Sequence, residues 1–212
     1  MEGGPADNQN DFSFVERPRL FRAAFGGKIV GAMNGLSDGQ ILIRPYRAED
    51  IRAMYEAVRE SVAEVSPWLP WCHADYTIEE TTAFVMTREE AWRNDEGYAF
   101  GVFDAGGGNY LGGVGLNFIN RIHQCANLGY WVRTSQTGRG VAARAARLAA
   151  RFALEQLGFQ RIEILAAIGN HASQRVAEKA GATREGTLRQ RLLVSGRPQD
   201  AALYSFVAED FG

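Results

Sequence analysis

The chain has 212 residues, 46% hydrophobic and 23% charged, the balance of an ordinary globular protein with enough apolar mass for one generous core. Twenty-three Lys and Arg stand against 25 Asp and Glu, a net charge of −2, which speaks against a nucleic-acid binder dependent on phosphate neutralisation. Cys72 and Cys125 are far apart without metal-ligand spacing, and no apolar run approaches a membrane span, so the expectation is a cytoplasmic protein with reduced thiols, no metal and no membrane contact.

Residues 1–40 read as an N-terminal extension ahead of a domain at 41–212. They start polar and glycine-rich and then show no sustained period of two or 3.6. A disordered tail, a partner-binding arm and sequence upstream of a start at Met33 all fit. Phe12, Phe14, Phe21 and Phe25 hint that part of it packs on something.

From Ile41 the pattern is regular. ILIRPY is a short strand ending at Pro45, and residues 47–62 place Ile51, Met54, Tyr55, Val58 and Val62 on one helical face. The loop VSPWLPWCHADY follows. Thr77 and Glu80 form a capping box that opens a helix to about Arg93. Residues 98–104 and 110–119 read as a hairpin around AGGGN, and the next strand covers about 125–133.

That strand runs through Gly138-Arg139-Gly140 into a helix with Val141, Ala145, Leu148 and Phe152 on its apolar face and a stop at Gly158. A strand passing through glycines into a helix start leaves several N–H groups unpaired and pointing one way, a cradle suited to diphosphate. By itself the turn fits a plain glycine-rich connection equally well, and it lacks both the Walker and the dinucleotide spacing. Residues 161–168 form a continuously apolar, central strand. A short helix, 171–180, ends at Gly181, and strands at 184–194 and 201–208 flank the turn SGRPQ. The order is β-α-α-β-β-β-α-β-α-β-β, an α/β (α+β) mixed central sheet with helices on both faces.

Thr137-Gly138-Arg139-Gly140-Val141-Ala142 resembles the pyrophosphate-binding signature of the GNAT superfamily of N-acetyltransferases, with Thr137 where Gln or Arg is usual. Two further stretches resemble its RimL-type, ribosomal-protein-serine branch. They are Pro67-Trp68-Leu69-Pro70-Trp71, and Asn170-His171-Ala172-Ser173 followed by Gly181 and Glu185-Gly186. The resemblance covers roughly 41–208 and implies an acetyl-coenzyme A-dependent N-acetyltransferase acting on a primary amine, either a protein N-terminus or a small molecule. It also implies a splayed strand pair that holds the cofactor.

Carried onto this chain, the resemblance assigns the diphosphate to Thr137, Gly138, Arg139, Gly140, Val141 and Ala142. Arg144, on the basic side of the helix, is a further candidate donor to the coenzyme A phosphates by its position. Pantetheine and the thioester carbonyl fall to the backbone of Trp131, Val132 and Arg133, and Tyr130 is a core aromatic. Asn170, the N-cap of its helix, becomes a cofactor contact with a catalytic role. Ser173 becomes the proton donor to the departing thiolate, with no tyrosine expected near it. Trp68 and Trp71 shape the amine site.

Arg147 and Arg151 are expected on a solvated face. The general base is unassigned, with His73, Asp75, His123 and Glu64 as weak candidates and Glu185 as structural. Cys72 beside His73 does not make a thiol nucleophile, for want of a third orienting group. A non-catalytic acyl-coenzyme A sensor or partner-binding module on the same fold is the alternative, and a homodimer stays open.

Overall fold

The computed structural model describes residues 35–106 and 108–212. Phe12, Phe14, Phe21 and Phe25, and most of the expected extension, lie outside the described residues. The strands are β1 (Leu36–Ser37), β2 (Ile41–Pro45), β3 (Tyr98–Asp104), β4 (Tyr110–Asn120), β5 (Cys125–Val132), β6 (Arg161–Ala167), β7 (Thr183–Val194) and β8 (Arg197–Phe206). The helices are α1 (Ile51–Val65), α2 (Ile78–Arg93), α3 (Val141–Glu155) and α4 (His171–Ala180). The strands form one sheet in the order β1-β2-β3-β4-β5-β6-β8-β7. All neighbours are antiparallel except β5 and β6, which the α3 crossover joins in parallel. The expected mixed sheet with helices on both faces is what the chain forms.

Alternation along the strands sends side chains to two apolar clusters. On one face Phe100, Val114, Leu128 and Ile164 meet Ala145, Ala149 and Phe152 of α3. Alanines dominate the buried side of α3, and their short side chains let the helix lie close on the sheet. On the other face Met54 and Val58 of α1 and Val85 of α2 meet Phe103 and Tyr110. Thr77 and Glu80 make the expected reciprocal cap of α2.

Three expectations shift. The sheet begins before Ile41, because Leu36 and Ser37 pair with Ile43 and Leu42. The first helix starts at Ile51, where buried Asp50 takes two bonds from Arg44 and one from the Arg47 N–H and fixes the corner. β8 begins at Arg197 rather than 201. The hairpin closes on Ser195 and Gly196, both at positive φ, as a two-residue turn that matches strand twist requires. Pro198 is tolerated because β8 there has outrun β6, whose last partner is Ala201.

Candidate active site

β5 and β6 share only three rungs, Cys125 with Arg161, Ala126 with Ile162 and Asn127 with Glu163. Beyond Asn127 they part, whereas β5 stays paired with β4 as far as Val132. This is the expected splayed pair. The Arg133 N–H donates to the Leu111 carbonyl at 2.9 Å, which fixes the parity of the ladder. Odd-numbered residues of β5 exchange bonds with β4, and Tyr130 and Val132 turn their N–H and C=O groups toward the open edge, joined by the Leu128 C=O, while the Leu128 N–H faces the last rung with β6. Of the three residues expected to use backbone there, Val132 keeps that orientation, while Trp131 and Arg133 face β4. Leu128 and Tyr130 join Val132, a pairing that sequence alone could not supply.

The gap leads to the glycine turn. Gly138 and Gly140 adopt φ of +77° and +79°, a region that side chains with a Cβ rarely enter. A Cβ at either would meet nothing within 4 Å, so backbone conformation rather than space calls for glycine. Gly140 caps α3 without a side-chain bond. Among the described residues no acceptor takes the N–H groups of Gly138 through Ala143. These unpaired donors at the positive end of a 15-residue helix fit a diphosphate. Val141 contributes its N–H here while its side chain is buried. Arg139 is exposed. The Thr137 hydroxyl donates to the Thr134 carbonyl at 2.9 Å and so is spent inside the turn.

One helix holds the loop that carries this cradle. Glu60 of α1 accepts from the Ser135 N–H at 2.8 Å and from Arg133. Buried Ser61 accepts from the Thr134 N–H at 3.0 Å, and Glu64 accepts from the Thr134 hydroxyl at 3.0 Å. The Ser135 and Arg133 bonds hold the Glu60 carboxyl below the usual range. Glu64, one of the weak base candidates, is thus committed to the clasp.

Asn170 caps α4, its Oδ1 accepting from the Ser173 N–H at 3.0 Å. Ser173 has a tyrosine beside it after all. The Tyr130 hydroxyl lies 2.9 Å from the Ser173 carbonyl oxygen and 3.1 Å from Ser173 Oγ. Chain distance hid the contact, because Tyr130 reaches it from β5, on the other wall of the gap.

The loop Pro67–Trp71 straddles the open end. Trp71, 38% exposed, meets the Trp131 ring edge-on with centroids 5.5 Å apart. Trp68 lies against the turn that precedes Asn170, its indole tip 3.7 Å from where a Cβ on Gly169 would stand. The two tryptophans therefore touch opposite walls of the splay.

The other expected residues are accounted for by their contacts. Arg144 pairs with Asp38 at 2.7 Å, beside a cleft of about 550 Å³ that Arg147, Arg151 and Lys179 also line. Arg151 pairs with Glu155. Arg147 is not simply solvated, because it donates to the Ala180 and Asp210 carbonyls and lies over Phe211. His73 meets Glu80 at 2.9 Å, Asp75 is exposed, and His123 sits in the β4–β5 turn, at the far end of β5. Glu185 is structural, chelated by Arg161 and bonded by Ser205. Cys72 is buried and its thiol pushed up by desolvation, which makes a poor nucleophile.

The model of the acetyltransferase (GNAT) domain family matches residues 40–183. The chain belongs to the GNAT acetyltransferase family. YdaF of Bacillus subtilis (strain 168), whose name gives ribosomal N-acetyltransferase activity provisionally, is 27% identical over 81% of this chain and 93% of its own. YjcK of the same organism, named a probable N-acetyltransferase, is 32% identical over 64% of this chain and 75% of its own. A solved structure of the ribosomal L7/L12 alpha-N-protein acetyltransferase RimL with coenzyme A covers 81% of this chain and 96% of its own, at 21% identity and a TM-score of 0.73. This GNAT chain is an acetyl-coenzyme A-dependent acetyltransferase, and the sensor alternative gains no support. Among the described residues no group of side chains could hold a metal ion, and no helix is long and apolar enough to cross a membrane.

Proposed function

We propose that the chain acetylates the N-terminal α-amine of a protein, as a member of the RimL-type branch. The observation that carries this reading is the β5–β6 splay, which ends in the uncapped glycine turn on one side and in Trp68 and Trp71 on the other. Acetyl-coenzyme A supplies an acetyl group activated as a thioester. The N–H groups of Gly138 through Ala143 hold its diphosphate, and the edge groups of Leu128, Tyr130 and Val132 line the gap. Ser173 donates a proton to the departing sulfur, and Asn170 fixes the helix turn from which it does so.

Acceptor choice follows from protonation. Glu60 and Glu64 are spent on the clasp, so an acceptor that is already partly neutral is favoured. An α-amine, with a pKa of about 8, is partly neutral at pH 7.5, whereas a lysine amine near 10.4 is almost wholly charged. The names of YdaF and RimL point the same way, and two free thiols suit the cytoplasm. Thiol release from acetyl-coenzyme A tests the proposal. A peptide with a free N-terminus should support it, and the same peptide blocked at that amine should not. Equal rates with both would refute the α-amine assignment.

A further inference from the structure

Tyr130 and Ser173 are 43 positions apart and approach from opposite walls of the gap, one on β5 and the other in the first turn of α4. The phenol oxygen reaches both the carbonyl and the hydroxyl oxygen of the same serine, at 2.9 and 3.1 Å. A single side chain thus spans the gap to this serine, at the place where β5 has lost its pairing with β6.

We propose that Tyr130 is a positioning residue for acetyl transfer, which orients the Ser173 hydroxyl and backs it with a hydrogen bond. This rests on Ser173 facing the departing sulfur. A free serine hydroxyl spreads over three rotamers and is a weak donor. When the serine turns its proton toward sulfur, the Tyr130 hydroxyl can swing from the Ser173 carbonyl to the vacated side of Oγ. A hydroxyl that accepts one bond donates more strongly, because successive hydrogen bonds polarise one another. Burial pushes the phenol up to about 12, so it keeps its proton across the working range. The ionisable group that acts on it is Tyr204 of β8, whose own hydroxyl donates to Glu178 of α4 at 3.0 Å.

Tyr130→Phe removes only the hydroxyl. It should lower kcat about tenfold while leaving the KM for acetyl-coenzyme A and the calorimetric affinity for coenzyme A at the parent values. The unchanged affinity also shows that the variant is folded. In a Ser173→Ala background the same change should have no further effect on kcat, because the partner is already gone, whereas a purely structural tyrosine would add its full cost. Without any cofactor, the 13Cζ resonance of a labelled Tyr130 should move on Ser173→Ala. If Ser173→Ala slows turnover but Tyr130→Phe does not, the positioning role is wrong and the serine assignment stands. If Ser173→Ala itself leaves kcat unchanged, the serine assignment and the positioning role fall together.

Discussion

Trp71 meets Trp131 edge-on, ring centroids 5.5 Å apart, so a loop between two helices is pinned to the strand that forms one wall of the β5–β6 gap. Edge-to-face aromatic pairs contribute about 0.5–1.5 kcal/mol beyond area burial. At 38% exposed, Trp71 also leaves part of its ring free for an acceptor. Trp71→Ala should therefore raise the KM for the amine severalfold and leave the KM for acetyl-coenzyme A nearly unchanged. Steady-state kinetics varying each substrate in turn, with a melting curve alongside, checks this. A large stability loss with both KM values preserved would make the tryptophan a plug rather than a wall.

At the other end of the gap, Gly140 holds φ at +79° with nothing near its missing Cβ. Gly140→Val should cost about 1–2 kcal/mol of stability through backbone strain. It should cost more than tenfold in coenzyme A affinity, because the N–H groups of the first turn lose their common direction. Calorimetric titration with coenzyme A measures the second effect directly, and binding at the parent affinity would place the diphosphate elsewhere.

Glu60 offers a test of the clasp. One carboxylate oxygen takes the Ser135 N–H and the other takes Arg133, so Glu60→Ala frees the loop just before the cradle. Affinity for acetyl-coenzyme A should fall about three- to tenfold, the scale of one or two charge-assisted bonds, with kcat at saturation little changed. Glu60→Gln keeps an acceptor for Ser135 and should lose less. A kcat effect without an affinity effect would contradict the assignment.

The sheet beyond the gap carries a pH signature. The Arg161 and Ser205 bonds hold the Glu185 carboxyl down at about 2, against an ordinary 4.5. A carboxyl depressed on folding stabilises the native state fully above its unfolded value and loses that contribution as pH falls through the folded one. Glu185→Gln should thus melt lower than the parent at pH 7, by a margin that holds to about pH 5 and shrinks between pH 4.5 and 2. Melting curves of both proteins across that range show whether the margin closes.

What was legible in the sequence was local. The Thr77 and Glu80 cap, the Gly138 and Gly140 turn and the Asn170 cap each declare themselves within a few residues, since their chemistry is a matter of spacing along one helix end. The parity of β5 is not local. Whether Val132 or Trp131 faces the gap depends on the bond from Arg133 to Leu111, and no periodicity in β5 records it. The clasp from Glu60 and Ser61 spans some seventy positions, and Tyr130 finds Ser173 only after the α3 crossover folds back. The stretch SGRPQ reads as a turn, yet β8 already begins at Arg197, because the missing N–H of Pro198 matters only where a neighbouring strand needs it.

The central claim is acetyl transfer to a protein α-amine, and one experiment reaches it most directly. A peptide carrying a free N-terminus and an internal lysine is incubated with acetyl-coenzyme A and the enzyme, and the modified position is read by fragment mass spectrometry. The account predicts a single acetyl group on the N-terminal nitrogen, formed in step with thiol release. Acetyl on the lysine alone, or no transfer to any amine while coenzyme A still binds, would contradict it.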